Sequence, residues 1–452
     1  MTTDTLALAE RALGAAPPGH ALAHVASERS LMLRFARTRP TQATAVEDVT
    51  VTIAVLRDGR VGTAATNAID GDSLAATAEV AAAAAEAAAR SAGPGEYPGF
   101  PAGGHTRGHE GFDLATARLD PAEGGRQIEA AFEACSRRGA EAHGTWTAAD
   151  VSTAVASTSG TAGRDRVTDA FMKVTAFAPS GRSGYAERTA VAVGDLNGGE
   201  IASLAAAKAV FDGEPARLPA GEYPVVLEAD AVGDVLSWVG MLAANGLAYA
   251  EGRSAFCDRL GSRVAAARIN LSDSPRFART LPRAFDAEGV PKAPIPLIQD
   301  GIAHRVVHDT KSAALCGTHS TGHANVPGGD SFGPVPTNLV LIGGGAADET
   351  ELARPIERGV YVTRLWYTNP IRPKETLITG VTRDGTFLIE DGQITRPLAD
   401  MRLTDSALGL LDRCEELGAR PRLVSEGEFY GRRFAHGVVA PAMRVSSMRF
   451  TA

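Results

Sequence analysis

The pairs Asp58-Gly59, Asp300-Gly301, Asp384-Gly385 and Asp391-Gly392 each sit between stretches of alternating apolar and polar residues, and this pattern constrains the fold most. Asp-Gly accepts the positive φ of a tight hairpin, and period-2 alternation marks strands with one buried face, so the chain is expected to hold antiparallel sheet. Strands are predicted over residues 31–36, 50–56, several between 144 and 193, 223–227, 263–271, 295–308, 339–342, 360–367, 375–394 and 443–450. Helices are predicted over 6–13, the alanine-rich 73–89, a segment opened by Asp120-Pro121 and reaching about residue 138, 201–209, 229–250, and a late one from Thr404 to Gly418. The fold class that follows is α+β, with N-terminal α/β segments followed by a large, mainly antiparallel β C-terminal domain. The expected domains are 1–95, 96–215 and 216–452, with a Gly-, Pro- and His-rich linker over 91–113.

The net charge of −8 is spread along 452 residues without a basic patch, which argues against nucleic acid as a ligand. Cys135, Cys257, Cys316 and Cys414 form no C-x-x-C pair and read as reduced thiols. The N-terminus shows no signal peptide, and the alanine-rich stretch is too short and too polar to span a bilayer. A soluble, cytoplasmic protein with no membrane partner is expected.

Several groups are candidates for chemistry. Cys316, His319 and His323 have a C-x-x-H-x-x-x-H spacing that would suit zinc, although the glycines among them favour a loop. His319, Ser320 and His323 are therefore equally candidates for a substrate-facing loop. Tyr361 and Arg364 lie on a strand with Trp366 and Tyr367, where arginine beside aromatics suits a peptide or carboxylate. His109-Glu110 has no second histidine in helical register, and neither a G-x-S-x-G elbow nor a Walker loop is present.

A series of short motifs resembles the TldD/PmbA family, also known as modulators of DNA gyrase. They are Asp286-Ala287-Glu288-Gly289-Val290-Pro291, Pro296-Leu297-Ile298-Gln299-Asp300-Gly301, Asp309-Thr310-Lys311-Ser312, Ser320-Thr321-Gly322-His323-Ala324, Pro336-Thr337-Asn338-Leu339 and Ile389-Glu390-Asp391-Gly392. The resemblance implies a heterodimeric metallopeptidase acting on peptides or peptide-like substrates. In it the TldD-type chain holds the metal through H-E-x-x-x-H and a later cysteine. The stretch matching that motif places Ala229 at the first histidine, Asp230 at the glutamate and Asp234 at the second histidine, with Val232-Gly233 kept. Where the cysteine is expected, residues 431–437 contain none. Alanine has no donor atom, and two carboxylates alone suit zinc poorly. The resemblance thus points to the TldE-type subunit, with no cofactor of its own and zinc in a TldD-like partner. The alternatives are a stand-alone hydrolase or biosynthetic enzyme with a repurposed site, and a regulatory protein of the gyrase-modulator kind.

Overall fold

The computed structural model describes residues 4–425, 433 and 436–451. The first half is built on one six-stranded antiparallel sheet: β1 (His20–Ala36), β2 (Arg39–Arg57), β3 (Arg60–Thr66), β4 (Glu141–Ser157), β5 (Ala162–Phe177) and β6 (Ser183–Ala190), in the order β3-β2-β1-β4-β5-β6. Asp58 and Gly59 both take positive φ at the β2–β3 turn, as their pairing predicts. The irregular stretch expected as a linker joins the helix that follows β3 to the next short helix without separating two sheets, since β1 pairs with β4 from Leu22 to Phe35.

Alternation sorts the two faces of this sheet. Ala21, Ala23 and Val25 of β1 lie under α1 (Thr5–Gly14) and the alanine-rich α2 (Gly71–Ala92). Past the short α3 (Leu114–Ala117), α4 (Pro121–Arg137) and α5 (Gly198–Ala209) cover Trp146, Ala148, Ala170 and Met172. The caps are those the sequence announces: Asp120 accepts from the Ala122 amide at 2.9 Å, with Pro121 opening the helix. The intervening residues of the same strands, among them His24, Glu28, Thr147, Asp169, Tyr185 and Glu187, point the other way, toward the second half of the chain.

That half opens with β7 (Gly221–Leu227), which runs into α6 (Ala229–Leu242). Twelve strands follow: β8 (Leu271–Asp273), β9 (Ile295–Gln299), β10 (Ile302–Ala303), β11 (Leu339–Leu341), β12 (Arg358–Arg372), β13 (Leu377–Glu390), β14 (Gln393–Pro397), β15 (Arg402–Ser406), β16 (Cys414–Leu417), β17 (Arg422–Val424), β18 (Val438–Ala440) and β19 (Met443–Thr451). They form two sheets, ordered β10-β9-β8-β11-β18-β17 and β12-β7-β19-β15-β13-β14, antiparallel except for β11–β18 and β12–β7. The expected architecture, mixed α/β followed by mainly antiparallel β, is what the chain adopts. Helix α6 packs on strands of both sheets, which explains why nine of its residues are buried rather than one stripe.

Local readings change in several places: β1 and β2 are longer than the predicted 31–36 and 50–56, and 295–308 holds two short strands, Ile295–Gln299 and Ile302–Ala303. Asp384-Gly385 makes a bulge inside β13 instead of a hairpin: both residues take positive φ, and the pairing slips opposite Thr363. The long late helix is only Ala407–Asp412, because residues 402–406 and 414–417 are claimed by the sheet. Residues 229–250 break at Asn245, which caps a separate turn, Gly246–Ala250. The stretch 263–271 contributes only its last residue to β8. Strand β19 is paired inside the sheet with β7 on one edge and β15 and β16 on the other, burying Met443, Val445, Met448 and Phe450. Among the described residues no helix is long and apolar enough to cross a membrane.

The two halves are joined by buried polar and apolar contacts. Phe285 packs with Leu22, Ala54 and Val155 of the first sheet. Arg433 is buried against that sheet: its Nε donates to Asp169 at 3.1 Å, its Nη1 to Thr147 at 3.0 Å, and its amide to Glu28 at 3.0 Å. Truncating one partner of a buried pair strands the other charge, so Arg433→Ala should lower unfolding stability by about 3–5 kcal/mol in urea titrations.

Candidate functional site

The start of α6 stands where four elements meet. Strand β7 delivers Glu228, β12 supplies Tyr361 and Thr363, β6 brings Tyr185 and Glu187, and β17 brings Arg422. Glu228 is buried and accepts from Tyr361 Oη at 2.6 Å and Thr363 Oγ1 at 3.0 Å, and it pairs with Lys208 Nζ at 2.7 Å. Asp230 pairs with Arg422, whose other nitrogen reaches Glu187 Oε1 at 2.8 Å. The side chain of Glu187 is fully buried. Burial, and then the Asp230 carboxylate, push its pKa up. Burial opposes the charge on Arg422, but Asp230, Glu187 and Glu228 outweigh it and hold the guanidinium ionised. Tyr185 and Tyr361 are driven well above the usual phenol range, by burial first and then by Asp230 and Glu228 respectively.

Beside this cluster lies a cleft of about 520 Å³. Asp230, Asp234, Trp238, Arg364, Trp366 and His436 are among the residues lining it. Arg364 pairs with Asp384 at the β13 bulge, and its guanidinium lies 4.2 Å over the ring of Tyr185 and 4.8 Å over that of Trp366. The bulge that replaces the expected turn is thus what aims Asp384 at Arg364. Of the late segment expected to carry a cysteine, residues 431, 432, 434 and 435 lie outside the described residues, whereas His436 and Gly437 line the cleft.

The structure divides the sequence candidates into two places. Ala229, Asp230, Asp234, Tyr361 and Arg364 converge at the cleft and its base. Cys316, His319, Ser320 and His323 lie elsewhere, in unlike surroundings: Cys316 is half-buried, His319 exposed, and His323 buried with its Nε2 3.2 Å from Asp273 Oδ1. Among the described residues no group of three or more His, Cys, Asp or Glu is placed to hold a metal. Asp230 does not cap α6: no side chain caps that helix, and the carboxylate is committed to Arg422. The sequence does not single out Glu187, Lys208 or Arg422, since each comes from a different segment and none sits in a recognisable motif.

Four of these short motifs, 286–291, 309–312, 320–324 and 336–339, meet around His323 and Asp273. Asp286 accepts from the amides of Glu288 and Val290, each at 2.9 Å, and of Ala324 at 2.8 Å. Glu288 accepts from Tyr97 Oη at 2.9 Å and from the amides of Thr310 and Gly328. Asp273 accepts from the amides of Thr337 and Asn338, with Lys292 at 3.7 Å. These buried carboxylates tie the loops around His323 together.

The retained Val232-Gly233 also has a packing role. A Cβ on Gly233 would run into Val424, two residues from Arg422. Gly233→Ala should therefore cost about 1–3 kcal/mol by overpacking, measured as a lowered denaturant midpoint at unchanged m-value.

Comparison with known proteins agrees with this geometry. A family profile described as the PmbA/TldA metallopeptidase C-terminal domain matches residues 220–452, and one described as PmbA/TldA metallopeptidase domain 1 matches residues 25–85. A metalloprotease of Methanothermobacter thermautotrophicus is 24% identical over 205 residues, covering 45% of this chain and 44% of that protein. A metalloprotease PmbA homolog of Haemophilus influenzae is 28% identical over 209 residues, covering 46% and 43%. The chain spans about half the length of these curated relatives. The crystal structure of TldE from Thermococcus kodakarensis superposes with a TM-score of 0.86 at 18% identity, covering 99% of each chain, a likeness of fold.

Proposed function

Because this chain belongs to the PmbA/TldA metallopeptidase family, we propose that it is the subunit of a cytoplasmic, heterodimeric peptidase that carries no metal and completes the cleft of a metal-bearing TldD-like partner. The observation that supports this most is the chemistry at the start of α6. Ala229 offers no donor, Asp230 is paired with Arg422, and Glu228 is engaged by Lys208, Tyr361 and Thr363. These residues do not fit the zinc that the family's name implies, and no step of catalysis is assigned to them.

What this chain contributes is a surface for substrate. The cleft combines aromatic side chains with Arg364 and Asp234, a mixture suited to peptide backbone and side chains. Asp234 serves as part of that lining and not as a base. Asp234→Ala should accordingly leave turnover by the assembled complex within a few-fold of the original, whereas removal of a catalytic base typically costs about 10²- to 10⁴-fold. Purifying the chain alone, and after co-expression with a relative that keeps H-E-x-x-x-H, tests the whole assignment. Co-elution with that partner, and peptide cleavage only by the mixture, are expected. Cleavage by this chain alone at the rate of the mixture would contradict the proposal.

A further inference from the structure

Ser183, Tyr185 and Glu187 are alternate residues of β6, so their side chains leave the same face of the strand, toward the second half of the chain. The two outer ones are tied to that half. Ser183 Oγ donates to Asp384 Oδ1 at 2.6 Å, and Glu187 Oε1 accepts from Arg422 Nη1 at 2.8 Å. Tyr185, between them, is gripped through its ring instead, over which the Arg364 guanidinium lies at 4.2 Å. The residue is only 5% exposed, yet its hydroxyl has no hydrogen-bond partner among the described residues. A buried tyrosine ordinarily finds a partner for that group, because an unmade hydrogen bond away from water is costly. Nor is the oxygen sealed in the core, as the orphaned Nε1 of Trp146 is: it opens into the cleft of about 520 Å³ that Tyr185 lines.

We infer that the Tyr185 hydroxyl is a substrate-binding donor, placed to meet one backbone carbonyl oxygen of a peptide lying in this cleft. Burial first, and then the nearby Asp230 carboxylate, keep the phenol protonated, so it has a proton to offer. A neutral acceptor is favoured over an anion. Among the described residues lining the cleft, Lys173 and Arg364 are answered by Asp230 and Asp234, which leaves no surplus of positive charge. Trp238, Trp366 and Tyr367 line the same cleft and supply flat apolar surface beside the donor. Arg364, itself held by Asp384, fixes the tyrosine ring, so the hydroxyl is presented at one place. This inference rests on the reading of the cleft as a surface for substrate, but it is tested on the isolated chain with no partner present. A chain that cleaved peptides by itself would refute its assignment as the metal-free subunit and leave the Tyr185 result standing.

The experiment titrates the isolated chain with acetyl-pentaalanine amide, an uncharged peptide, and follows tryptophan fluorescence, since Trp238 and Trp366 line the cleft. Tyr185→Phe keeps the ring and removes only the hydroxyl. It should bind the peptide about 3- to 10-fold more weakly than the wild type, the share of one uncharged hydrogen bond. It should also melt within about 1 °C of the wild type, because no internal bond is lost. A series of peptides with one amide carbonyl at a time replaced by methylene locates the acceptor. One member should lose the same factor against the wild type and nothing further against Tyr185→Phe. The free-acid form of the peptide should bind no more tightly than the amide. A wild type that does not bind the peptide overturns the inference, as does Tyr185→Phe binding within about twofold of the wild type. A Tyr185→Phe protein that melts several degrees lower would show that the hydroxyl serves the fold, and tighter binding of the free acid would make the acceptor an anion; either result overturns it too.

Discussion

Asp273→Ala is expected to lower the unfolding free energy by about 3–5 kcal/mol. Asp273 is fully buried, with Lys292 3.7 Å and His323 3.2 Å from its Oδ1, and its Oδ2 accepts from the amides of Thr337 and Asn338. Removing the carboxylate strands a buried ammonium and two buried amides together. Burial alone would raise the pKa of Asp273, but Lys292 first and then His323 hold it well below its usual 3.8. A carboxyl depressed in the folded state stabilises the protein above its unfolded pKa, and that contribution fades as pH falls through the folded value. The wild type should therefore lose more stability than Asp273→Ala on acidification below about pH 4, the ordinary aspartate range. Equal acid limbs for the two proteins, or a loss under about 1 kcal/mol at neutral pH, would remove Asp273 from this role.

The largest effect on activity is expected in the partner. Replacing the glutamate of its H-E-x-x-x-H motif should reduce peptide cleavage by the mixture about 10²- to 10⁴-fold, the usual contribution of a general base. Chelation should remove the activity, and zinc should restore it. Equivalent changes at Asp230 or Asp234 of this chain belong to another category. Asp230→Asn should act through stability, by loosening Arg422, while kcat of the folded complex stays within a few-fold. Thermal melts and kinetics on the same preparation separate the two effects. A fall of about 10²-fold or more in kcat, with the melt unchanged, would place Asp230 in the chemistry.

How much of this was legible in the sequence depended on the range of the interaction. The turn at Asp58-Gly59, the cap at Asp120 and the alanine helix α2 rest on local signals, namely Asp-Gly, N-capping and helix propensity, and they stand where the sequence puts them, whereas β1 and β2 run well beyond the predicted 31–36 and 50–56. The bulge at Asp384-Gly385 was unreadable because a positive φ serves a hairpin and a bulge alike, and only the partner strand decides between them. The helix predicted from Thr404 to Gly418 is cut to Ala407–Asp412 because sheet pairing with β13 and β19 claims the residues on either side. At the site, Ala229, Asp230 and Asp234 were found because a motif frames them. Glu187 and Arg422 lie 43 and 192 residues from Asp230 along the chain, and no sequence signal links them. His319 and His323 attracted notice by spacing alone, and burial separates them, one exposed and one sealed against Asp273.

Whether this chain carries metal is decided by counting it. Zinc is measured by elemental analysis, after exhaustive dialysis, in the isolated chain and in the complex with a metal-bearing relative. The isolated chain should hold no stoichiometric zinc, and the heterodimer about one, lost when the partner's H-E-x-x-x-H histidines are replaced. Close to one zinc per molecule in the isolated chain would contradict its assignment as the metal-free subunit.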